Sequence, residues 1–443
     1  MSRFLYTLLY YCLTPLLFLR LLIKHQKSRQ YKEQRQDLRL AERLAFFDNR
    51  ELDNKEFTNK GQANPIWFHT VSVGEFIATL PLIKQVMLEY PQFPLLITCT
   101  TTTGSSQIIK TFATEIKQGK IFHVYLPYDL PGSMRRFLKK TQPHLAIIME
   151  TEIWPNLLHA TQQMNIPIWL LNARMSARSA KGYKRFKGLI KTTLQEFTGI
   201  AAQDKLDAER LIQLGAKAES LTITGSIKFD IQLDLKELEA GHELRQQLNW
   251  QDKKVLIAAS THQGEDEILL NVFQNLRQYY PQLVMLIVPR HPERFQSVYQ
   301  LLTASDYTIA KRSTPVRKGG SAIDILLGDS MGEMMRYFSC ADMVFMGGTM
   351  VPTGGHNILE PAAMGLPIVY GPHMFNFNAI NELFIHYQAA LQVADGADLE
   401  KALHLLLSDE KRADEMAAKA KQLIAKNAGA KDKILALLKP YLS

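Results

Sequence analysis

The sequence predicts an α/β protein with two Rossmann-like domains that face a cleft, preceded by an N-terminal hydrophobic helix. Three observations predict this fold: an apolar run of 20 residues near the N-terminus, a strand–helix alternation that begins at residue 65, and a polar stretch near 231–252 after which the alternation starts again. The chain has 443 residues, of which 46% are hydrophobic and 21% are charged. This composition is that of a globular protein and excludes wholly disordered, collagen-like and coiled-coil chains.

Residues 4–23 form the apolar run, which as a helix would reach about 30 Å, the thickness of a bilayer core. Pro15 would kink this helix, and Arg20 near its end can reach the headgroups. Only Arg3 precedes the run, whereas seven basic residues follow it: Lys24, Lys27, Arg29, Lys32, Arg35, Arg39 and Arg43. This asymmetry places the following chain in the cytoplasm.

We therefore expect a membrane anchor in residues 1–24 and a basic juxtamembrane helix and linker in residues 25–64. A cleaved signal peptide is disfavoured, because the basic cluster lies on the wrong side and no small-residue cleavage site follows. An amphipathic or buried core helix is the alternative. The sequence leaves open whether the anchor spans the membrane or lies in its interface.

Short apolar runs typical of buried strands recur along the rest of the chain, with helical spacing between them in segments such as 76–90 and 105–117. The runs are 66–70, 95–100, 122–127, 145–150, 167–172 and 199–203, then 254–260, 283–289, 322–327, 342–348 and 367–371. Such alternation predicts βαβ units and parallel sheets. We expect one domain at 65–232 and a second at 233–443. The last helix of the second domain either stays in that domain or crosses back to the first.

In parallel α/β sheets, ligands bind beyond the carboxyl ends of the strands, so residues there are candidates for a site. Glu75 follows the first predicted strand, where it is either a helix-start carboxylate or a general base, and position alone favours the former. Glu150 and Glu152 end the fourth strand at alternate positions, so we expect both side chains to point the same way. Carboxylates that leave a buried strand are costly unless they are paired or used.

The net charge of +9 indicates an anionic partner, and its distribution narrows the choice. Residues 1–45 carry +6 and residues 174–192 carry +7 without one acidic residue, which leaves −4 for the remainder. The second block contains Arg174, Arg178 and Lys181, which suit substrate phosphates or lipid headgroups. Nucleic acid is disfavoured, because no helix-turn-helix, RNP or zinc-finger pattern occurs.

The second half contains a glycine-rich segment that resembles a ligand loop. Gly348 and Thr349 follow a predicted strand, and Gly354 and Gly355 lead to a helix expected to begin around Asn357, with Glu360 one turn further along and able to accept from ribose hydroxyls. Free N–H groups at such a helix start bind phosphate. Neither the G-x-G-x-x-G nor the P-loop pattern is present, which disfavours dinucleotide binding and ATP hydrolysis.

Arg290 and His291 end another strand, where Arg290 could neutralise a phosphate. We expect no metal ion, because the four histidines of this half lie on separate loops without ligand spacing and no Asp-x-Asp pair occurs. These histidines are His262, His291, His356 and His373. Three scattered cysteines exclude a disulfide framework and favour a reducing compartment, with Cys99 and Cys340 expected in the core.

Taken together, eight motifs resemble the 3-deoxy-D-manno-octulosonic acid (Kdo) transferases, which attach Kdo from CMP-Kdo to the lipid A precursor of lipopolysaccharide. The motifs are HTVSVGEFIATLPLI, TTTTGSSQ, ETEIWPNLL, NARMSARSAKGY, GSIKFD, STHQGEDEI, PRHPERF and GGTMVPTGGHNILEPAAMGLPIVYGPHMFNF. The resemblance covers nearly the whole chain. It implies the GT-B glycosyltransferase fold, an acceptor-binding first domain and a second domain that binds the CMP-sugar.

The resemblance also implies site roles. The catalytic base falls on Glu75, the second acidic residue on Glu152 with Glu150 as the alternative, and the motif lysine on Lys228, beside Ser226 where the family usually has Asn. Donor contacts fall on Arg290, His291, Gly348, Thr349, Gly354, Gly355, Asn357 and Glu360, and acceptor contacts on Arg174, Arg178 and Lys181. The implied reaction is a metal-free inverting transfer at the cytoplasmic face of the inner membrane, with no cofactor.

Three other functions fit parts of the sequence. Another membrane-associated GT-B transferase would use a UDP-sugar, and a non-catalytic binder of anionic lipids would leave the glycine-rich loop unexplained. A sugar-nucleotide epimerase of the same fold would not need an anchor.

Overall fold

The computed structural model describes residues 1–30, 39–47, 63–314 and 322–442, and for residues 24–30 the helical backbone alone. Most of the predicted basic linker at 25–64 therefore lies outside the described residues. The described chain divides into two compact units, Met1–Ile227 with Gly429–Ser443 and Lys228–Ala428.

Unit 1 contains a parallel sheet of seven strands among its described residues, in the order β3-β2-β1-β4-β5-β6-β7. The strands are β1 (Ile66–His69), β2 (Leu95–Cys99), β3 (Ile121–Tyr125), β4 (Leu145–Met149), β5 (Ile168–Ala173), β6 (Gly199–Ala202) and β7 (Leu221–Ile223). Its helices are α1 (Arg3–Gln30), α2 (Val73–Glu89), α3 (Thr102–Thr111), α4 (Ala113–Lys117), α5 (Pro131–Thr141), α6 (Pro155–Gln163), α7 (Ala177–Lys184), α8 (Lys187–Leu194) and α9 (Lys205–Leu214).

Unit 2 repeats this architecture, with described strands in the order β10-β11-β9-β8-β12-β13-β14, all parallel. The strands are β8 (Lys254–Thr261), β9 (Leu283–Pro289), β10 (Ile309–Lys311), β11 (Ile325–Leu327), β12 (Met343–Met346), β13 (Ile368–Tyr370) and β14 (Leu391–Gln392). Its helices are α10 (Leu235–Gln247), α11 (Glu265–Tyr279), α12 (Phe295–Thr303), α13 (Met334–Cys340), α14 (Leu359–Ala363), α15 (Asn378–His386), α16 (Gly396–Ser408) and α17 (Glu410–Asn427).

The strands read as continuous apolar runs because both faces of each sheet are covered. In β1, Trp67 packs into one core of unit 1, while Ile66 and Phe68 pack into the core on the opposite face. In β8, Val255 and Ile257 likewise face one core of unit 2, and Leu256 faces the other. Cys99 and Cys340 are buried, as predicted, and Cys12 is exposed.

All eleven predicted strands are present, and the described residues contain three further short strands that were not predicted. β7, β10 and β14 have two or three residues each, pair on one side only and occupy sheet edges. Such strands are partly exposed and lack the buried apolar run that marks the central strands. The sequence pattern therefore did not distinguish them from loops.

After unit 2 the chain returns to unit 1 for its last helix, α18 (Ala430–Leu438). Ala430, Ile434 and Leu438 are fully buried in a unit 1 core. The imidazole Nε2 of His144 lies 2.8 Å from the carbonyl oxygen of Tyr441, just beyond this helix. Both ends of unit 2 are therefore joined to unit 1, at residues 227–228 and 428–429.

Within the described residues, one helix is long and apolar enough to cross a membrane. It is the part of α1 between Arg3 and Ile23, which matches the predicted run at 4–23. Length and composition alone do not distinguish an anchor from other apolar helices.

Candidate active site

Glu75 lies in the first turn of α2, just beyond the carboxyl end of β1. Ser72 caps the helix: its Oγ accepts from the N–H of Glu75 at 3.4 Å and donates to Glu75 Oε1 at 3.2 Å. Glu75 Oε2 accepts from the N–H of Val71 at 2.8 Å. This capping box fixes the position of the carboxylate, so the structural role weighed for Glu75 is present and does not exclude a chemical one.

Burial, together with the charges of Glu150 and Glu152, raises the pKa of Glu75 to about 7, against the lowering effect of its hydrogen bonds to Val71 and Ser72. The three carboxylates come together because β1 and β4 are neighbours in the sheet. A carboxyl group with a pKa near the working pH is half-ionised there, as a general base requires.

The expectation that Glu150 and Glu152 share a strand face is wrong in its premise. β4 ends at Met149, and Glu150 takes a left-handed backbone conformation with φ of +60°. The alternation of side chains along a strand therefore does not apply to this pair. Glu152 accepts a hydrogen bond from the indole Nε1 of Trp154 at 2.6 Å, and burial raises its pKa, with a further contribution from Glu150.

One predicted acceptor residue, Arg174, contacts the segment that carries Glu150 and Glu152, and the other two lie on the helix that follows it. Arg174 follows β5 directly, and its carbonyl oxygen accepts from Thr151 Oγ1 at 2.7 Å. Arg178 and Lys181 are exposed on α7, which Ser176 caps. On the same helix the pKa of Tyr183 is raised by burial and by the charge of Glu152, so α7 passes close to Glu152.

Lys228 lies in a 3₁₀ turn, Ile227–Phe229, where the chain passes from unit 1 to unit 2. Ile227 is buried in a unit 1 core and Phe229 in a unit 2 core. Lys228 is thus held between two anchored neighbours. Its assignment as a catalytic residue stays a prediction.

In unit 2 the glycine-rich loop after β12 is organised by Glu265, which the sequence analysis did not single out. This fully buried carboxylate, in the first turn of α11, accepts from the N–H groups of His262, Gly348, Thr349 and Met350 at 2.7–2.9 Å. The contacts with Gly348, Thr349 and Met350 form because β8 and β12 are neighbours in the sheet, although these three residues are 83–85 positions from Glu265 in the sequence. The only local sequence signal for this role is the position of Glu265 after Gly264 at the start of a helix. A Glu at such a position is usually interpreted as an exposed helix-start residue.

Glu265 limits what Gly348 and Thr349 can offer a ligand. Their N–H groups already donate to a carboxylate, so a contact with the donor would use other atoms, and their assignment as donor contacts stays a prediction. The Thr349 hydroxyl is also engaged, since it donates to Met346 O at 2.6 Å and accepts from the N–H of Gly371 at 2.8 Å. Both residues therefore shape the loop from within.

The two later glycines of the loop are required by close packing. Gly354 and Gly355 have φ of +98° and +80°. A Cβ atom at Gly354 would lie 2.2 Å from Asn376 Nδ2, and one at Gly355 would lie 2.4 Å from Met374 Sδ. The next helix, α14, begins at Leu359 rather than at Asn357. Glycine is needed here so that residues 353–376 can fold closely on themselves.

Asn357 and Glu360 lie together, as the predicted ribose contacts require. Asn357 Oδ1 accepts from the N–H of Leu359 at 3.1 Å, and its Nδ2 donates to Glu360 Oε1 at 3.3 Å. Burial raises the pKa of Glu360, against the lowering effect of this hydrogen bond. Within the part of the chain that the structure describes, Glu360 Oε2 has no hydrogen-bond partner and can accept from another donor such as a sugar hydroxyl.

Arg290 and His291, after β9, lie beside two further histidines that the sequence spacing had not connected. His262 Nε2 is 2.9 Å from His356 Nε2, and the His262 and His291 rings are 5.3 Å apart. Burial, together with the charges of its histidine neighbours and Arg290, lowers the pKa of His356 to about 4. This corner of unit 2 therefore carries the positive charge of Arg290, and the lowered pKa of His262 and His356 favours the neutral imidazole, which donates through one ring N–H, as an anion site requires.

Within the described ranges, no group of three or more His, Cys, Asp or Glu side chains has an arrangement suited to a metal ion. The close approach of the two Nε2 atoms makes them partners of each other rather than joint ligands. The expected independence of metal ions stays a prediction.

Two solved structures have a fold similar to that of this chain. The UDP-GlcNAc 2-epimerase from Neisseria meningitidis bound to UDP-GlcNAc covers 85% of this chain and 100% of its own, with a TM-score of 0.55 and 14% identity. Alr3699/HepE from Anabaena in complex with UDP covers 85% of this chain and 100% of its own, with a TM-score of 0.52 and 15% identity. Paired parallel sheets of this order place the chain in the GT-B fold class.

Sequence similarity then identifies the family. The family described as "3-Deoxy-D-manno-octulosonic-acid transferase (kdotransferase)" matches residues 38–231. The 3-deoxy-D-manno-octulosonic acid transferase of Haemophilus influenzae is 40% identical over 443 residues, 100% of this chain and 99% of the relative. That of Bordetella pertussis is 37% identical over 384 residues, 86% of this chain and 88% of the relative. The chain belongs to the Kdo transferase family and is a glycosyltransferase.

Proposed function

We propose that the chain transfers Kdo from CMP-Kdo to the tetra-acylated lipid A precursor at the cytoplasmic face of the inner membrane, without a metal ion. The observation that carries the mechanism is the carboxylate of Glu75. It is fixed by a capping box, and its pKa of about 7 leaves it half-ionised at neutral pH. Family membership supports the class of sugar and acceptor.

In the proposed step, Glu75 removes the proton from an acceptor hydroxyl, whose oxygen forms a bond to the anomeric carbon of Kdo. The bond from that carbon to the CMP phosphate oxygen breaks, and the phosphate leaves with the electron pair. Attack on the face opposite CMP inverts the anomeric configuration. The carboxylate of Glu152, held by Trp154, raises the basicity of Glu75 through its charge.

Unit 2 would bind the donor. Arg290 and His291 would hold the phosphate, with Lys228 also contributing positive charge as it leaves. Asn357 and Glu360 would accept and donate hydrogen bonds at the ribose. Gly354 and Gly355 would allow the loop to approach the nucleotide closely.

The test is incubation of the purified chain with CMP-Kdo and the tetra-acylated lipid A precursor, followed by mass spectrometry of the lipid. We expect a lipid product that carries Kdo, with the same yield after EDTA treatment. A UDP-sugar in place of CMP-Kdo should give no product. A product formed only from the UDP-sugar, or free sugar released without acceptor, would support the alternative functions instead.

The acceptor assignment predicts a separable effect. Because Arg178 and Lys181 are exposed on α7, the helix whose Tyr183 lies close to Glu152, replacing both by Gln should raise the KM for the lipid roughly tenfold through loss of charge-assisted contacts to phosphate. Turnover at saturation and the KM for CMP-Kdo should change little. Steady-state kinetics with each substrate varied measures this.

The matched control is the double variant K205Q/K217Q, which removes two exposed charges from the same unit but outside the basic segment 174–192. Its KM for the lipid should equal that of the wild type. Equal effects of the two double variants would mean that the basic segment 174–192 acts only through its net charge. The assignment of Arg178 and Lys181 to acceptor binding would then be wrong.

A further inference from the structure

The N-terminal helix α1 has two different faces along its length. Its large apolar side chains are 43–78% exposed on one face: Phe4, Leu5, Leu8, Leu9, Tyr11, Leu13, Leu16, Leu19, Leu22 and Ile23. The half-buried side chains follow a helical spacing on the other face: Arg3, Tyr6, Thr7, Tyr10, Thr14, Leu17, Phe18 and Leu21. The inward face thus contains the hydroxyl groups of Tyr6, Thr7, Tyr10 and Thr14, and the outward face is mostly apolar, with Tyr11, Cys12 and Arg20 as its polar members, the reverse of an ordinary surface helix.

The inward face is docked on the loop that follows β3 and on the first turn of α6. Tyr6 Oη donates to Asp129 Oδ2 at 2.9 Å, and Thr7 Oγ1 donates to Asn156 Oδ1 at 3.0 Å. Asp129 is 2% exposed and also accepts from two N–H groups of α6, so the Tyr6 hydroxyl completes a buried network. These contacts are polar and specific, unlike those of a helix surrounded by lipid.

Aromatic contacts continue the docking further along the helix. The Tyr10 and Phe18 rings pack edge-on against Trp154 and Tyr128, with centroids 6.5 Å and 5.4 Å apart. Tyr6 to Phe18 therefore lie against a globular unit whose loops carry buried charge. Crossing a bilayer core takes about 20 residues with lipid on all sides. Beyond Phe18 the sequence offers five residues, including Arg20, before Lys24.

We propose that α1 does not span the membrane but lies in the plane of the lipid interface, with its outward face among the acyl chains and its inward face docked on unit 1. The partner that covers the outward face of α1 is an anionic bilayer surface rather than a second copy of the chain. Arg20 is exposed on this helix, and Lys24, Lys27 and Arg29 follow it in the sequence, which matches anionic headgroups. An apolar face of this extent does not stay in water.

This arrangement places the carboxylate site at the membrane surface. Trp154, which contacts Tyr10, donates its indole N–H to Glu152. A lipid-embedded acceptor would then meet Glu75 and Glu152 without leaving the bilayer. The proposal concerns the membrane and not the reaction, and its test uses no transfer assay, so its failure is distinguishable from failure of the proposed function.

Cys12 supplies a native probe of depth. It is exposed on α1, whereas Cys99 and Cys340 are buried, so a thiol-reactive fluorophore should label Cys12 selectively in the full-length protein. Vesicles of phosphatidylethanolamine and phosphatidylglycerol with nitroxide lipids at two depths report the fluorophore position. We expect stronger quenching from the shallow nitroxide, because an in-plane helix reaches only about 5–10 Å into the interface.

A spanning helix would place Cys12, near the middle of Arg3–Ile23, at the bilayer centre, where the deep nitroxide quenches best. That result would overturn the proposal, as would no quenching by either lipid or concentration-dependent dimers that exclude vesicles. The variant C12S should take up no fluorophore, which verifies the labelling site.

Two variants test the faces separately. L9Q/L16Q on the outward face should weaken partitioning into these vesicles roughly 30-fold and leave the melting temperature unchanged. Y6F on the inward face should bind vesicles as the wild type does but melt about 2–4 °C lower, because Asp129 loses a hydrogen bond. A helix surrounded by lipid would tolerate Y6F without a change in melting, and that result would overturn the docked arrangement.

Discussion

Replacing Glu75 by Gln is expected to lower the turnover number for sugar transfer roughly 10³-fold, because general-base catalysis contributes about 10²–10⁴-fold in enzymes. Gln keeps the size of the side chain and an oxygen that can accept from the N–H of Val71, so the capping box should persist. Steady-state assays with both substrates saturating measure the loss. Wild-type turnover in a correctly folded E75Q protein would exclude Glu75 as the base.

The pH dependence tests the same group independently. The base must be ionised, so kcat/KM for the acceptor should rise with pH and level off above a midpoint near 7, the pKa to which burial raises Glu75. The residual activity of E75Q should lack this ionisation. A wild-type profile that is flat between pH 5.5 and 8.5 would contradict the assignment.

Stability should change in the opposite direction to activity. The folded-state pKa of Glu75 is raised from 4.5 to about 7, so protonation stabilises the fold, and this stability is lost as the pH rises from about 4.5 through 7. E75Q, which cannot ionise, should therefore gain in melting temperature over the wild type at pH 8 and gain less at pH 5. The control E89Q, at the exposed far end of α2, should match the wild type in both activity and melting.

The second large effect is expected at Glu265, whose two oxygens accept four backbone N–H groups. In E265Q an amide nitrogen replaces one of these oxygens and faces two N–H donors, so two buried groups lose their acceptor. We expect the free energy of unfolding of unit 2 to fall by roughly 3–5 kcal/mol. The KM for the sugar nucleotide should rise at least tenfold, because the loop that leads to Asn357 and Glu360 loses its internal anchor.

Hydrogen exchange measures this effect locally, which matters because unfolding of a chain with two units need not be two-state. The amides of Gly348, Thr349 and Met350 should exchange much faster in E265Q than in the wild type. E267Q changes an exposed carboxylate in the same helical turn and serves as the matched control. Unchanged protection of these amides in E265Q would show that Glu265 does not hold the loop.

The central strands of both sheets were predictable because a strand buried on two faces is an unbroken apolar run, as in residues 145–149. The positions of Glu75 and Glu152 beyond strand ends were predictable for the same reason. The conformation at Glu150 was not, since nothing in METEIWPN marks a left-handed residue. The engagement of the Gly348 and Thr349 N–H groups by Glu265 was not predictable either, because a local motif does not reveal a distant acceptor.

By itself, the sequence determined the succession of strands and helices, the two-sheet α/β class, the apolar N-terminal helix and the family, all of which depend on residue order and local spacing. Only the tertiary structure decided which groups meet. Strand order places β8 beside β12 and β1 beside β4, and so joins Glu265 to its loop and Glu75 to two other carboxylates. It likewise decided which face of α1 is docked, because that depends on Asp129 and Asn156, more than 120 residues away. Contacts at such separations follow from packing, which local periodicity does not encode.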